Sequence, residues 1–284
     1  MGSAIGARLL EGGARVVVAL DGRSERTRRL AAEVGVQDVR TLEALVRAAD
    51  IVLSVVPPGS AVDVAEAIAA AAGDARPLVA DLNAIAPATA RRVEAALAAH
   101  GLETVDGSIS GAPPHAPGTT RVYLSGPRAA EVAALPLAWV ELVVVGAEVG
   151  LASAVKMCTA SVYKGRVALL AQALRTAHAH GVVEHVLDDL VDTGLADRGR
   201  TGGTIGKAST KAWRYVPEME EISATQAAAG LTPELFLAVA LVYGELADRA
   251  FAEAPEDVPD DVALSDVLER LNAGDAGRGG AEAP

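Results

Sequence analysis

The chain has 284 residues, of which 51% are hydrophobic and 3% aromatic, and it carries a formal charge of -12 at pH 7. That length allows two domains with cores built mainly from Ala, Val and Leu, and the acidic excess excludes a general nucleic-acid surface, which needs clustered Lys and Arg. The single cysteine, Cys158, excludes an intrachain disulfide framework and a thiolate metal cluster.

No charged-then-apolar leader opens the sequence, and no apolar run approaches the ~20 residues of a membrane helix. A soluble protein of the reducing cytoplasm is expected, with no membrane or nucleic-acid partner. The histidines, His100, His115, His178, His180 and His185, show no metal spacing with a carboxylate, so no metal site is expected.

In chain order, a helix from Ser3 to Glu11 is followed by a strand from Arg15 to Leu20 and a helix from Glu25 to Val34. Next come a strand from Ile51 to Val56, a helix from Ala61 to Ala72, a strand from Leu78 to Asp81 and a helix from Pro87 to His100. VVVAL, IVLSVV and PLVADL are continuous apolar runs, as strands buried on both faces require, which favours a parallel doubly wound sheet.

A further strand is expected at Glu103 to Val105, and the Gly- and Pro-rich segment Gly107 to Thr120 reads as a loop before strands at Arg121 to Ser125 and Val140 to Val145. From Val149 onward the spacing turns helical, with long segments at Ala152 to His180, Pro217 to Ala229 and Pro233 to Ala252. The expected division is 1–148 as a Rossmann-like α/β domain, 149–271 as an all-α domain, and 272–284 as a frayed tail without apolar periodicity.

Several loops carry the chemistry. Met1-Gly2 runs directly into the first helix, and its letters resemble the end of the G-x-G-x-M-G turn of the β-hydroxyacid and 6-phosphogluconate dehydrogenase family, of which 3-hydroxyisobutyrate dehydrogenase is a member. The resemblance implies a first strand and two turn glycines ahead of Met1; both are expected to be missing from this sequence, with Gly2 left to meet a cofactor pyrophosphate at the helix N-terminus.

After the second family strand stands Asp21-Gly22-Arg23-Ser24. An acidic residue there would bind a ribose diol, and Arg with a hydroxyl would bind a 2′-phosphate, so both readings are open from the residues. Family members that use NADP resemble Arg23-Ser24 at this point, which implies NADP, with NAD as the other choice.

SVVPPG (Ser54 to Gly59) and VADLNAIAP (Val79 to Pro87) end the next two strands and, by resemblance, place Val56, Pro57 and Asn83 against the cofactor, with Asn83 also reaching the substrate. VDGSISGAP (Val105 to Pro113) resembles D-A-P-V-S-G-G, which assigns Ser110 and Gly111 to the substrate.

GAEVGLASAVKMCTASVYKG (Gly146 to Gly165) resembles the family's G-x-x-G-x-x-x-x-K-M passage and puts Lys156 at the position of the catalytic lysine. A lysine that exchanges a proton with an alcohol must sit on a partly buried face. The family's polar residues after it are replaced here by Thr159 and Ala160; Tyr163 and Lys164, two turns along, are candidates to supply substrate contacts instead. Related imine reductases usually lack the lysine.

Lys211 to Leu231 resembles a phosphogluconate-dehydrogenase-like C-terminal domain, in which Lys211, Trp213, Arg214 and Glu218 form a polar and aromatic cluster. The expected function is hydride transfer between a nicotinamide cofactor and a small hydroxy acid, with Lys156 as general acid and base, in a homodimer joined through the helical domain. The competing expectations are an imine or ketone reductase on the same scaffold and a non-catalytic nucleotide-binding scaffold protein.

Overall fold

The computed structural model describes residues 1–249 and 254–273. The end of the helix expected to reach Ala252 and the tail from residue 274 lie outside them. Contacts divide the chain into two compact units, Met1–Cys158 and Thr159–Pro284.

In the first unit, α1 (Gly2–Glu11) precedes β1 (Val17–Val18), α2 (Glu25–Val34), β2 (Gln37–Asp38) and α3 (Leu42–Ala48). Then follow β3 (Ile51–Ser54), α4 (Ala61–Ala72), β4 (Leu78–Asp81), α5 (Pro87–Ala98) and β5 (Thr104–Gly111). The unit continues with β6 (Thr120–Ser125), α6 (Ala129–Ala133), β7 (Val140–Gly146) and the first turns of α7 (Leu151–Ala179).

Strands β3, β4 and β5 pair in parallel, β6 runs antiparallel to β5, and β7 is parallel to β6. Successive residues of a strand face opposite sides, so Val52 and Val79 join Ala65, Ile68, Val93 and Leu97 in one core layer. Leu78, Ala80 and Val105 join Ile5, Leu9 and Val132 in the other. Helices thus cover both faces, as a doubly wound sheet requires.

The expected strand from Arg15 to Leu20 is two residues long as β1. Its one partner is the equally short β2. Gln37 N–H bonds Val16 O and Val39 N–H bonds Val18 O, so the backbone groups of Val17 point away from β2. Among the described residues no strand pairs with that edge, nor with the edge of β3 opposite β4. Strands β1 and β2 thus form a sheet separate from that of β3-β4-β5-β6-β7. Val16, Ile51 and Leu53 nevertheless pack with Ile5 and Leu9 of α1 in one apolar cluster.

The segment expected as a loop from Gly107 begins instead as strand: β5 continues to Gly111 because β6 pairs with it residue for residue from Asp106 to Gly111. At its end Gly111 has φ +98, and a Cβ there would stand 2.0 Å from the Thr119 carbonyl oxygen, so the close turn into β6 admits glycine alone.

The second unit is helical among its described residues: the rest of α7, α8 (Val183–Asp192), α9 (Thr201–Ser209), α10 (Ala212–Ala228), α11 (Glu234–Asp248) and α12 (Leu264–Asn272). Its core includes Leu174, Ile205, Met219, Ile222, Tyr243 and Leu246. Helix α10 begins before Pro217, where sequence alone starts it; burial of Ala212 and Met219 carries the helix through the proline. No described helix is long and apolar enough to cross a membrane.

Candidate functional site

Four polar side chains form a row across the apolar sheet. Ser54 of β3 is in register with Asp81 of β4, Asp81 with Asp106 of β5, and Asp106 with Ser125 of β6. All four are buried, Asp106 with 1% exposure and Ser125 with none. Buried polar groups persist where they are hydrogen-bonded, and each half of this row holds a different segment in place.

The Ser54–Asp81 half holds Asn83. The Asn83 backbone N–H donates to Asp81 Oδ1 at 3.0 Å, and its Nδ2 donates to Asp81 Oδ2 at 2.8 Å and to Ser54 Oγ at 3.2 Å. Its Oδ1 accepts from the Val56 N–H at 2.6 Å. Burial pushes the Asp81 carboxyl up to about 6, against the opposing pull of the hydrogen bonds from Asn83. Asn83 is itself buried, with 3% exposure. Both amide hydrogens are committed within the protein, and Asn83 fixes the Val56-Pro57 turn, which continues into a short 3-10 turn at Pro58–Ser60.

A Cβ on Gly2 would lie 3.9 Å from Val55 Cβ, an ordinary contact, so the start of α1 lies beside the residue that precedes Val56 and Pro57. Helix α1 starts there with no capping side chain and no acidic residue in its first turn. Its free N–H groups and dipole suit an anion, and the residues present therefore fit the pyrophosphate of a dinucleotide.

Arg23 is exposed after β1. Ser24 caps α2, its Oγ accepting from the Thr27 N–H at 3.2 Å. The cap fixes where α2 begins and leaves Arg23 exposed in the preceding turn.

The Asp106–Ser125 half holds the start of α7. Asp106 Oδ2 accepts from the N–H groups of Gly150 (2.9 Å) and Ser153 (3.0 Å) and from Ser125 Oγ (2.9 Å). Asp106 Oδ1 accepts from Ser153 Oγ at 2.6 Å, Ser125 Oγ accepts from the Ala152 N–H at 3.0 Å, and Ser108 Oγ donates to the Ala152 carbonyl at 2.8 Å. Three otherwise orphaned amides of the helix start are thereby satisfied. This is why the boundary between the compact units falls inside α7 rather than before it.

Lys156 sits one turn beyond Ser153, half-buried, and its Nζ donates to the Ile109 carbonyl at 2.8 Å. The amine thus lies beside Ser110 and Gly111 at the end of β5. Two turns on, Tyr163 is exposed, whereas Lys164 is ion-paired with Glu218, and its Nζ stands 4.1 Å from the centre of the Tyr215 ring. Of the expected cluster, Glu218 is buried and Lys211 half-buried, whereas Trp213 and Arg214 are exposed, so Glu218 does not share their surface.

Sequence reasoning singled out neither Ser54, Asp106, Ser125 nor Ser153. A signal existed, since Ser54 and Asp81 end otherwise apolar strands, where a polar side chain needs a partner.

Residues 1–157 match the family described as the NAD binding domain of 6-phosphogluconate dehydrogenase. The chain belongs to that family. Residues 177–246 match a domain of unknown function, DUF1932. A conserved protein of unknown function, described as structurally similar to 3-hydroxyacid dehydrogenases, is 30% identical, with a TM-score of 0.62 over 87% of this chain and 93% of its own.

The 3-hydroxyisobutyrate dehydrogenase of Mycobacterium tuberculosis, solved with L-serine, is 23% identical over 95% of both chains, with a TM-score of 0.65. An imine reductase from Streptomyces aurantiacus is 21% identical over 94% of this chain and 95% of its own, with a TM-score of 0.54. These two share the fold of this 6-phosphogluconate dehydrogenase-type protein, which is a scaffold of both dehydrogenases and reductases. In this family member Val56 and Asn83 are joined by a hydrogen bond, and Lys156 bonds the Ile109 carbonyl of β5.

Proposed function

We propose that the protein is an NADP-dependent oxidoreductase that interconverts a small hydroxy acid and its carbonyl counterpart, with Lys156 as general base in one direction and general acid in the other. NAD is the alternative cofactor. The observation that carries this reading is the Lys156 amine held on the Ile109 carbonyl next to Ser110 and Gly111, at the end of a family nucleotide-binding sheet.

The cofactor supplies the hydride chemistry. The chain binds and orients: Gly2 and the Val56-Pro57 turn receive the dinucleotide, with Asn83 fixing the turn, and Arg23 with Ser24 faces the 2′-phosphate. Ser110 and Gly111 receive the substrate carboxylate. In oxidation Lys156 would take the substrate O–H proton and in reduction return it to the carbonyl oxygen, while the paired hydride transfer from or to the carbinol carbon is the chemistry that a bound nicotinamide would supply. Lys164, engaged by Glu218 and Tyr215, and Tyr163 are left without a substrate role in this proposal.

The active form is taken to be a cytoplasmic homodimer joined through the helical unit, where Val162, Leu169 and Leu241 expose large apolar side chains. A dimer mass in light scattering supports this, and a monomer overturns it.

The test is fluorescence titration with NADPH and NADH, followed by a panel of 3-hydroxy acids with NADP+ and of ketones and cyclic imines with NADPH. Tighter NADPH binding with hydroxy-acid turnover is expected. Turnover of imines alone would reassign the chemistry, and binding of neither cofactor would overturn the nucleotide-dependent reading.

A further inference from the structure

The stretch of β5 from Asp106 to Ile109 meets the start of α7 at three points. At one end the Asp106 carboxylate takes the Gly150 and Ser153 N–H groups and the Ser153 hydroxyl. At the other, the Ile109 carbonyl takes the Nζ of Lys156, three residues after Ser153. Between them Ser108 Oγ bonds the Ala152 carbonyl. The backbone that carries the lysine and the tip of its side chain are therefore both referenced to the same strand.

We propose that Asp106 is the positioning residue for Lys156: by binding the first turn of α7 to β5, it sets where the lysine amine stands relative to Ser110 and Gly111. The proposal rests on the reading of Lys156 as the proton-transferring group, since only then does its placement matter for turnover.

The geometry shows why this task needs a carboxyl or a close isostere. Three donors converge on Asp106 Oδ2, from Ser125, Gly150 and Ser153, so that atom must be an acceptor without hydrogens. Oδ1 meets a single hydroxyl, that of Ser153, which can reverse its role and accept. Asn at this position can place its Oδ1 where the three donors converge and donate from Nδ2 to Ser153. Asp106→Asn therefore keeps the anchor and loses the charge, whereas Asp106→Ala removes the anchor and leaves the buried amides of Gly150 and Ser153 unpaired.

The same row of register partners explains the neighbouring segment. Asp81, beside Asp106 in the sheet, fixes Asn83 and through it the Val56-Pro57 turn. Adjacent carboxyls thus hold the cofactor-side turn and the lysine-bearing helix on one rigid frame, the arrangement that keeps two reacting partners in register.

The experiment follows acetylation of each lysine by acetic anhydride with mass spectrometry in the intact chain. It compares the rate at Lys156 with that at Lys207, which bonds Asp260 in the helical unit. In Asp106→Ala the ratio of the Lys156 rate to the Lys207 rate should rise roughly fivefold, the factor that corresponds to loss of one helix cap, and Asp106→Asn should restore it to within about twofold of wild type. Turnover by Asp106→Ala should fall in kcat while NADPH affinity holds, with Asp106→Asn again rescuing it.

An unchanged labelling ratio in Asp106→Ala, or equal acceleration at all lysines, overturns the proposal, the latter by showing a merely global role. Failure of Asp106→Asn to rescue overturns it by showing that charge, not anchoring, is at work. A changed ratio that rescue reverses, without any effect on turnover, upholds the positioning and instead overturns the catalytic reading of Lys156.

Discussion

The Nζ of Lys156 donates to the carbonyl oxygen of Ile109 across 2.8 Å, joining residues 47 apart in the chain. The bond engages a half-buried side chain and fixes it at the end of β5. Lys156→Ala should lower turnover about 10²–10⁴-fold, the usual contribution of a positioned acid or base. NADPH affinity should stay within about twofold, as the lysine belongs to the proton-transfer step. Steady-state rates and a cofactor titration on the same preparation separate the two; equal loss in both would make the lysine structural.

Asp81 gives the protein a pH-dependent stability. Its folded-state carboxyl titrates at about 6, above its ordinary 3.8, because burial disfavours the charged form. The folded state therefore holds the proton more tightly, and Asp81's contribution is fully present below about pH 4 and is lost as pH rises through 6. Urea midpoints for wild type and Asp81→Asn, compared from pH 4 to 7, should diverge in the variant's favour by on the order of 2–3 kcal/mol across that window. Parallel profiles would show that Asp81 does not titrate there.

Arg23 should decide between the two nicotinamide cofactors. It is exposed in the turn after β1, ahead of the helix that Ser24 caps. Arg23→Ala is expected to weaken NADPH binding about tenfold or more while leaving NADH within about twofold, since a charge-assisted bond to phosphate is worth ~1.5–3 kcal/mol. Equal change for both cofactors would remove Arg23 from the 2′-phosphate.

At Gly111 an added Cβ would meet the Thr119 carbonyl oxygen at 2.0 Å, with φ at +98. Gly111→Ala should destabilise the first unit by at least about 2 kcal/mol, read as a lowered thermal midpoint, because the neighbour is backbone and cannot turn aside. An unchanged midpoint would mean that the β5–β6 turn can open without cost.

In the helical unit, the Tyr243 hydroxyl donates to the Lys164 carbonyl at 2.8 Å, while its ring meets Tyr215 edge-on with centroids 5.1 Å apart. Tyr243→Phe keeps the ring and deletes the hydroxyl, so a loss of about 1 kcal/mol is expected in denaturant unfolding. A larger loss would show that the hydroxyl also orders the Lys164–Glu218 pair.

Local pattern was enough wherever an element is specified by its own residues. Helices α2 and α4 and strand β4 stand where periodicity and caps place them, because a 3.6-residue apolar repeat or a short β-branched run is encoded within the segment itself. The segments around Val56, Asn83, Ser110 and Lys156 are legible as family resemblances for the same reason. The short helix α3 and the two-residue β2 carry too little repeat to be read, and they form through what they pack against or pair with.

Sequence alone determined the alternation of the longer α and β elements, the change to helix after Val149, and the lysine as the group to watch. Tertiary structure alone decided that β1 shrinks to two residues, since a strand extends only as far as a partner bonds it, and that β5 runs on to Gly111, since β6 lies alongside. It alone aligned Ser54, Asp81, Asp106 and Ser125 in one buried row, with Asn83 on one half and the start of α7 on the other. Register and long-range hydrogen bonds depend on which strand lies beside which, and no window of neighbouring residues contains that information.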